Sequence, residues 1–317
     1  MLDGILIIDK PEGLTSHDVV ARVRRILNIK RVGHTGTLDP FATGVLVVLT
    51  GRATRLAQFL SGAEKEYEAR VRFGYATDTG DLTGERVSTT CAQNEFKESV
   101  RPFSEREIEA ALQDLRGEIE QVPPMYSAKK VQGKKLYEMA RRGVEIERKP
   151  VSVIIRELEA KAQNGVLLSR RLDGTYDLSI RVVCSAGTYI RTLAEAIGER
   201  LGLPAHLASL RRTRAGNFRA EDAISLDELK EKAESGNADS LFTSMDAALS
   251  WLPFVHLTAD EAQRALHGVA LRLAPGVDWD MNQPVRMRDT RGRLIAVGFY
   301  DAAQKLLRPR VVLFPEK

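Results

Sequence analysis

The chain has 317 residues, 43% of them hydrophobic, enough to build one large core or two smaller ones without covalent staples. Its formal charge of +4 and pI near 9.0 suit a polyanionic partner without requiring one. Nothing approaches the ~20 apolar residues of a membrane span and no basic-apolar leader opens the chain, so the expected location is the cytoplasm. The two cysteines, Cys91 and Cys184, have no Cys-x-x-Cys spacing and read as free thiols, which argues against a disulfide framework or a thiolate zinc site.

Residues 4–9 read as a short buried strand. Thr15-Ser16 then caps a helix with the apolar stripe Val19, Val20, Val23, Ile26 and Leu27. Next comes a polar loop, Gly33-His34-Thr35-Gly36-Thr37-Leu38-Asp39-Pro40-Phe41-Ala42-Thr43-Gly44. Its three glycines allow angles or close approaches that a side chain forbids, and Pro40 pushes Asp39 away from helical geometry. Asp39 is therefore held stiffly, either as a reactive carboxylate or as a turn residue bonded to nearby amides. Residues 45–49 form an apolar run of strand length. Residues 65–73 alternate, with Tyr67, Ala69, Val71 and Phe73 on one face and Glu66, Glu68, Arg70 and Arg72 on the other. One-sided alternation favours an antiparallel or mixed sheet.

Residues 87–103 carry no periodicity and read as an exposed loop. Ser104 and Glu107 form a capping box for a helix expected to stop at Gly117, and Pro123-Pro124 bars continuation. Strand-like runs recur at 151–155 and 176–183, where Tyr176, Leu178, Ile180 and Val182 share a face. Residues 188–201 predict a helix closed by Gly202, and Ser225 with Glu228 caps another that ends at Gly236. Residues 237–246 read as a connector. Runs at 254–257, 285–288 and 294–300, with a Thr290-Arg291-Gly292 turn, predict a small β-rich second unit. The expected fold class is thus α+β, with a mixed, mainly antiparallel sheet, flanking helices and a β-rich C-terminal unit.

Basic residues gather at Arg22, Arg24, Arg25, Lys30 and Arg31, at Lys129, Lys130, Lys134 and Lys135, at Arg141 and Arg142, and at Arg211, Arg212 and Arg214. Such clusters suit a phosphate backbone, and a solvated face explains any one of them equally well. No Gly-x4-Gly-Lys-Ser/Thr loop, Gly-x-Gly-x-x-Gly fingerprint or Gly-x-Ser-x-Gly elbow occurs, and the five histidines show no metal-ligand spacing. That leaves a carboxylate for catalysis, which needs a cation to remain ionised in a dry pocket. Arg191 fits, because Cys184-Ser185-Ala186-Gly187-Thr188-Tyr189-Ile190-Arg191 runs off a buried strand into a helix. An ordinary helix-surface arginine is the other reading.

The Lys10-Pro11 turn with Gly13, Thr15 and Ser16, the loop 33–44, Lys65-Glu66-Tyr67, Pro123-Pro124-Met125-Tyr126-Ser127-Ala128 and Gly187-Thr188-Tyr189-Ile190-Arg191-Thr192 occur in one order. That order resembles the TruB-type tRNA pseudouridine synthases. The resemblance runs from about Gly4 to Arg214, including Ala205-His206-Leu207-Ala208-Ser209-Leu210-Arg211-Arg212. Beyond about Asp246 the chain is more weakly similar to a PUA-type RNA-binding unit. The resemblance implies a pseudouridine synthase catalytic domain at 1–243 and a PUA-like domain at 244–317. It further implies a monomer with no metal, organic cofactor or obligate protein partner, acting on the T-arm stem-loop of tRNA at uridine 55.

Residue by residue, Asp39 matches the catalytic aspartate, which acts on the ribose so that the base detaches, turns and rejoins through its C5. Arg191 matches the arginine paired with it. Tyr67 matches the tyrosine that stacks on the target base and assists at the C5 proton. His34, Tyr189 and Leu210 match positions lining the nucleotide, and Lys10 a basic residue that supports the motif core. Read without the resemblance, Tyr67 is a core aromatic, His34 a loop hydrogen-bonder and Leu210 core packing. The chemistry nevertheless suits these residue types: extruding a stacked base costs on the order of a few kcal/mol, and stacking on one aromatic ring returns about 1 to 3 kcal/mol. The aperiodic stretches 87–103 and 166–175 depart from the family pattern without touching a motif position. Two other functions fit parts of the sequence. One is an RNA-binding module that holds or refolds tRNA; the other is a glycosidase, which needs two cooperating carboxylates and releases free uracil.

Overall fold

In the computed structural model, residues 2–87, 103–126, 130–131, 134–135, 139, 146–273 and 279–314 are described. Cys91, Lys129, Arg141, Arg142, Ser127, Ala128 and nearly all of the expected loop at 87–103 lie outside them. The N-terminal part begins with β1 (Gly4–Lys10), α1 (Ser16–Leu27), β2 (Val32–Thr35), β3 (Thr43–Thr50) and β4 (Lys65–Phe73). It continues with α2 (Glu105–Gln113), β5 (Gly117–Gln121), β6 (Val151–Lys161), β7 (Leu168–Arg170), β8 (Tyr176–Cys184), α3 (Ile190–Leu201), β9 (Ala205–Ala215), β10 (Phe218–Arg219) and α4 (Leu226–Glu234).

These strands form one ten-stranded sheet in the order β1-β3-β9-β4-β8-β6-β5, with β2 on β3, β7 on β8 and β10 on β9. Its pairings are antiparallel except where Arg211 and Arg212 of β9 run parallel to Thr43 and Gly44 of β3. At that joint the strands approach closely: Gly44 has φ +97°, and a Cβ there would lie 2.2 Å from the Arg212 carbonyl oxygen, so only glycine fits. The alternation expected for β4 and β8 buries Tyr67, Ala69, Val71, Phe73, Tyr176, Leu178, Ile180 and Val182 in one core beneath α2 and α3.

The expected caps form. Thr15 and Asp18 make a capping box on α1, Ser104 and Glu107 make one on α2, and Gly202 closes α3 in the left-handed conformation. α2 ends at Gln113 rather than continuing to Gly117, because Gly117 at φ +90° turns the chain into β5, which pairs with Val151–Ile155. β9 was not legible as a strand, since its Arg211-Arg212-Thr213-Arg214 stretch masks the alternation.

The C-terminal unit contains β11 (Phe254–His256), α5 (Ala259–Leu266), β12 (Leu271–Arg272), β13 (Pro284–Arg288), β14 (Leu294–Asp301) and β15 (Leu306–Val312), in the order β11-β13-β14-β15-β12. Leu294, Val297, Val311 and Leu313 pack with Ile5, Val47, Leu49 and Leu56 in one apolar cluster, which seats the unit on the β1–β3 side of the large sheet. The α+β class, the mainly antiparallel sheet with flanking helices and the β-rich C-terminal unit are borne out. No helix among the described residues is long and apolar enough to cross a membrane.

Candidate active site

The loop that carries Asp39 is braced by the turn between β1 and α1. Lys10 is fully buried, and its Nζ donates to the carbonyls of Pro11 at 2.9 Å, Leu14 at 2.6 Å and Pro40 at 3.1 Å. Pro40 also accepts from the Gly13 amide at 2.8 Å. Ser16 Oγ accepts from the Leu38 amide at 2.9 Å and donates to the Leu38 carbonyl at 3.2 Å. From the far side, buried Arg212 donates to the Gly36 carbonyl at 3.0 Å and the Val45 carbonyl at 2.6 Å. The loop is thus fixed on both sides of Asp39 before any ligand arrives.

The Asp39 carboxylate meets Arg191 in a two-point pair, with Nε 3.0 Å from Oδ2 and Nη2 donating to Oδ1 at 3.3 Å. The Asp39 side chain thus pairs with an arginine across the fold rather than with nearby turn amides, and Arg191 is a buried partner rather than a surface arginine. Arg191 side-chain exposure is 5%, whereas Asp39 is 32% exposed, so the carboxylate is the open half of the pair. Arg191 is itself held by the carbonyls of Thr79 at 2.9 Å and Tyr126 at 2.7 Å, and its Nη1 lies 3.6 Å from Asp81. Gln121 positions the start of α3 by accepting from the Tyr189 amide at 2.9 Å and donating to its carbonyl at 3.2 Å.

A cavity of about 300 Å³ opens over Asp39, lined by Tyr67, Tyr189, Leu210, Arg191, Lys65 and Arg212 among others. Of the residues singled out in the sequence, Asp39, Tyr67, Tyr189, Arg191 and Leu210 therefore meet at one cavity. Lys10 and His34 do not line it. Lys10 works behind the loop, and His34 packs edge-on to His17 at 5.3 Å with its buried Nδ1 lacking a hydrogen-bond partner among the described residues.

Electrostatics follow from burial. Desolvation pushes the Asp39 carboxyl above its ordinary value; Arg191 opposes the shift, Asp81 adds to it and Lys10 opposes it. Burial likewise raises the Tyr67 phenol. It lowers Lys10 and Lys65 to about 8, and it lowers His34 to about 4, where the ring is neutral near pH 7.

Three contributors were given no site role in the sequence reading. Asp81 is 4% exposed and accepts from Thr79 Oγ1 at 2.9 Å, the Thr83 amide at 2.9 Å and Thr83 Oγ1 at 2.6 Å. Its Thr-Asp-Thr-Gly-Asp-Leu-Thr context was a readable turn signal. Lys65, 6% exposed, donates to the carbonyls of Ser61 and Ala63 from the cavity wall. Arg212 belongs to a basic cluster that the structure turns inward: Arg212 is buried, Arg211 pairs with Asp9 at 2.8 Å and Arg214 with Glu64 at 2.8 Å. That cluster braces the fold and leaves few free charges for a phosphate backbone. No group of three or more potential metal ligands gathers among the described residues.

The long, mainly antiparallel sheet thus presents a braced Asp39–Arg191 pair at a cavity. The solved structure titled "Crystal Structure of a Cbf5-Nop10-Gar1 Complex" superposes with a TM-score of 0.72 at 27% identity, covering 99% of this chain and 86% of that one. The TruB family pseudouridylate synthase N-terminal domain matches residues 24–190, and the tRNA pseudouridylate synthase B C-terminal domain matches 191–250. The tRNA pseudouridine synthase B of Geobacillus kaustophilus is 46% identical over 272 residues, 86% of this chain and 92% of that protein. That of Bacillus thuringiensis strain Al Hakam is 46% identical over 274 residues, 86% of this chain and 85% of that protein. The chain belongs to the TruB family of pseudouridylate synthases and is an enzyme, an isomerase that converts uridine to pseudouridine in tRNA.

Proposed function

We propose that the uridine at position 55 in the T loop of tRNA is the substrate, and that Asp39 is the catalytic carboxylate. The two-point Asp39–Arg191 pair at the cavity carries this reading. A flipped uridine enters the cavity with its ribose toward Asp39 and its base against Tyr67. Arg191 holds the carboxylate ionised and oriented, offsetting the burial that favours its protonated form. Asp39 acts on the ribose, the N1–C1′ bond breaks, the base turns and a C5–C1′ bond forms. The proton lost from C5 is matched by one gained at N1, so the reaction is balanced without a cofactor. Tyr189 and Leu210 enclose the base, while Lys10 acts by positioning the loop.

His34, neutral and packed on His17, borders the same loop and is assigned to the bound nucleotide's surroundings. Residues 1–243 are assigned to catalysis and 244–317 to RNA binding, in a cytoplasmic monomer that acts on the T arm without an obligate protein partner. Tritium release to water from a T-arm RNA carrying [5-³H]uridine, compared between the unmodified protein and Asp39→Asn, tests the assignment. Asp39-dependent release without free uracil is the expected result. Release of free uracil supports the glycosidase reading, and tight binding without release supports an RNA-holding module.

A further inference from the structure

The catalytic cavity shares a wall with a second cavity of about 480 Å³. Ser61 lines the first, while its neighbours Leu60, Gly62 and Ala63 line the second, so a single turn separates them. The second cavity is predominantly apolar, with Val47, Phe59, Phe218 and Trp251 on its walls. Phe218 is 7% exposed, but Trp251 is 55% exposed. A large aromatic face left half in water at an apolar recess marks a surface built to be covered.

The chemistry of the rim narrows what covers it. The turn Gly216–Asn217 also borders a polar recess lined by Glu66, Arg181, Arg214 and Arg219. Arg181 lies 2.9 Å from Glu66 and Arg214 lies 3.6 Å from it. Arg219 is exposed and takes no acidic partner among the described residues. Arg181 is further held by Glu157 and Glu159, and Arg214 by Glu64, so Arg219 supplies the free cation of this recess among the described residues. The joined pair of recesses therefore offers a stacking surface, an amide at Asn217 that donates and accepts, and a cation beyond it. An apolar peptide would fill the first recess but leave the cation unused, whereas a nucleotide uses both. The volume lies within the roughly 300–1,000 Å³ of pockets that hold small ligands.

The geometry points to a second nucleotide subsite: a base of the RNA substrate other than the reacting uridine stacks on Trp251, with its phosphate at Arg219. This rests on the reading that RNA enters the Asp39 cavity. Because one turn separates the cavities, the base belongs to the same RNA loop, and a T-arm hairpin suffices as the probe.

The chain has two tryptophans, and Trp279 packs edge-on to Tyr300 at 5.6 Å in the C-terminal core. Trp279→Phe therefore leaves Trp251 as the sole emitter. Titration with the hairpin is expected to change its emission with the same Kd as filter binding. Trp251→Ala is expected to raise Kd about five- to a hundredfold. Its turnover at saturating RNA is expected to stay within about twofold, with Tm unchanged. Trp251→Phe restores affinity, which a loss of shape alone would not allow. Arg219→Gln lowers the slope of log Kd against log salt by about one. Single abasic replacements around the loop are expected to include one position whose loss equals that of Trp251→Ala and disappears in that variant. Unchanged emission together with an unchanged Kd in Trp251→Ala overturns the subsite while leaving hairpin turnover intact. Failure of the unmodified protein to turn over the hairpin overturns instead the reading on which the subsite rests.

Discussion

Arg191 and Arg286 are both 5% exposed, both donate to backbone carbonyls and both pair with an aspartate, yet only Arg191 lines the cavity over Asp39. Arg286 donates to the carbonyls of Leu252 at 2.8 Å and Ser250 at 3.2 Å, tying residues 246–252 to β13. Its aspartate, Asp246, is also claimed by Arg288 at 2.5 Å, so two cations meet one carboxylate in a joint. Asp39 has one paired arginine, a neighbouring like charge in Asp81 and an open face on a cavity. A buried guanidinium therefore identifies nothing by itself; an incompletely neutralised carboxylate facing solvent-sized space does.

The contrast can be broken most severely at Asp39. Asp39→Asn should lower tritium release by a factor on the order of 10⁴ or more, with hairpin Kd within about threefold. Retained release would remove Asp39 from the chemistry. The paired substitutions Arg191→Lys and Arg286→Lys test the comparison directly. The first should lower kcat about 10²- to 10³-fold, because an ammonium cannot reproduce the fork. The second should leave kcat within about twofold and lower Tm by several degrees, through carbonyls left without a donor. Similar losses of kcat in both variants would erase the distinction.

Lys10→Met strips the donor from three carbonyls and should cost about 1–3 kcal/mol in denaturant unfolding. It should also lower kcat about tenfold as the Pro40 turn relaxes, and an unchanged kcat would show that the clamp does not position Asp39. The smallest effect is a shift in pH. The raised Asp39 pKa keeps the carboxyl protonated at pH values where an ordinary aspartate, near ~3.9, has ionised. Thus kcat/KM should rise with pH through a midpoint above that value. Asp81→Asn removes a like charge and should move this limb toward acid. A limb at or below the ordinary value would contradict the burial of Asp39.

Much of this was legible. The periodicity of residues 65–73 fixed which face of β4 is buried, and Thr15, Ser104, Gly202 and Ser225 marked helix ends through local capping chemistry. The ordered motifs carried Asp39, Tyr67, Tyr189, Arg191 and Leu210, which the fold gathers at one cavity. What stayed hidden depends on contacts remote in sequence. Arg212 looked like a solvated cation because nothing local announces that its donors face Gly36 and Val45. Asp81 drew no reading because its approach to Arg191 exists only after α3 docks. β9 went unrecognised as a strand because its arginines reach acids remote in sequence, Asp9 on β1 and Glu64 just before β4, and so tolerate sheet positions.

The Arg212 guanidinium closes on Gly36 across 176 positions of chain. During synthesis, every residue up to β9 must emerge before the Asp39 loop acquires its last brace. A nascent chain that already holds Asp39, Tyr67 and Arg191 still lacks a finished site. On the proposed role of Asp39, the enzyme's ability to act on RNA is therefore a late event in its own making, coincident with closure of the sheet.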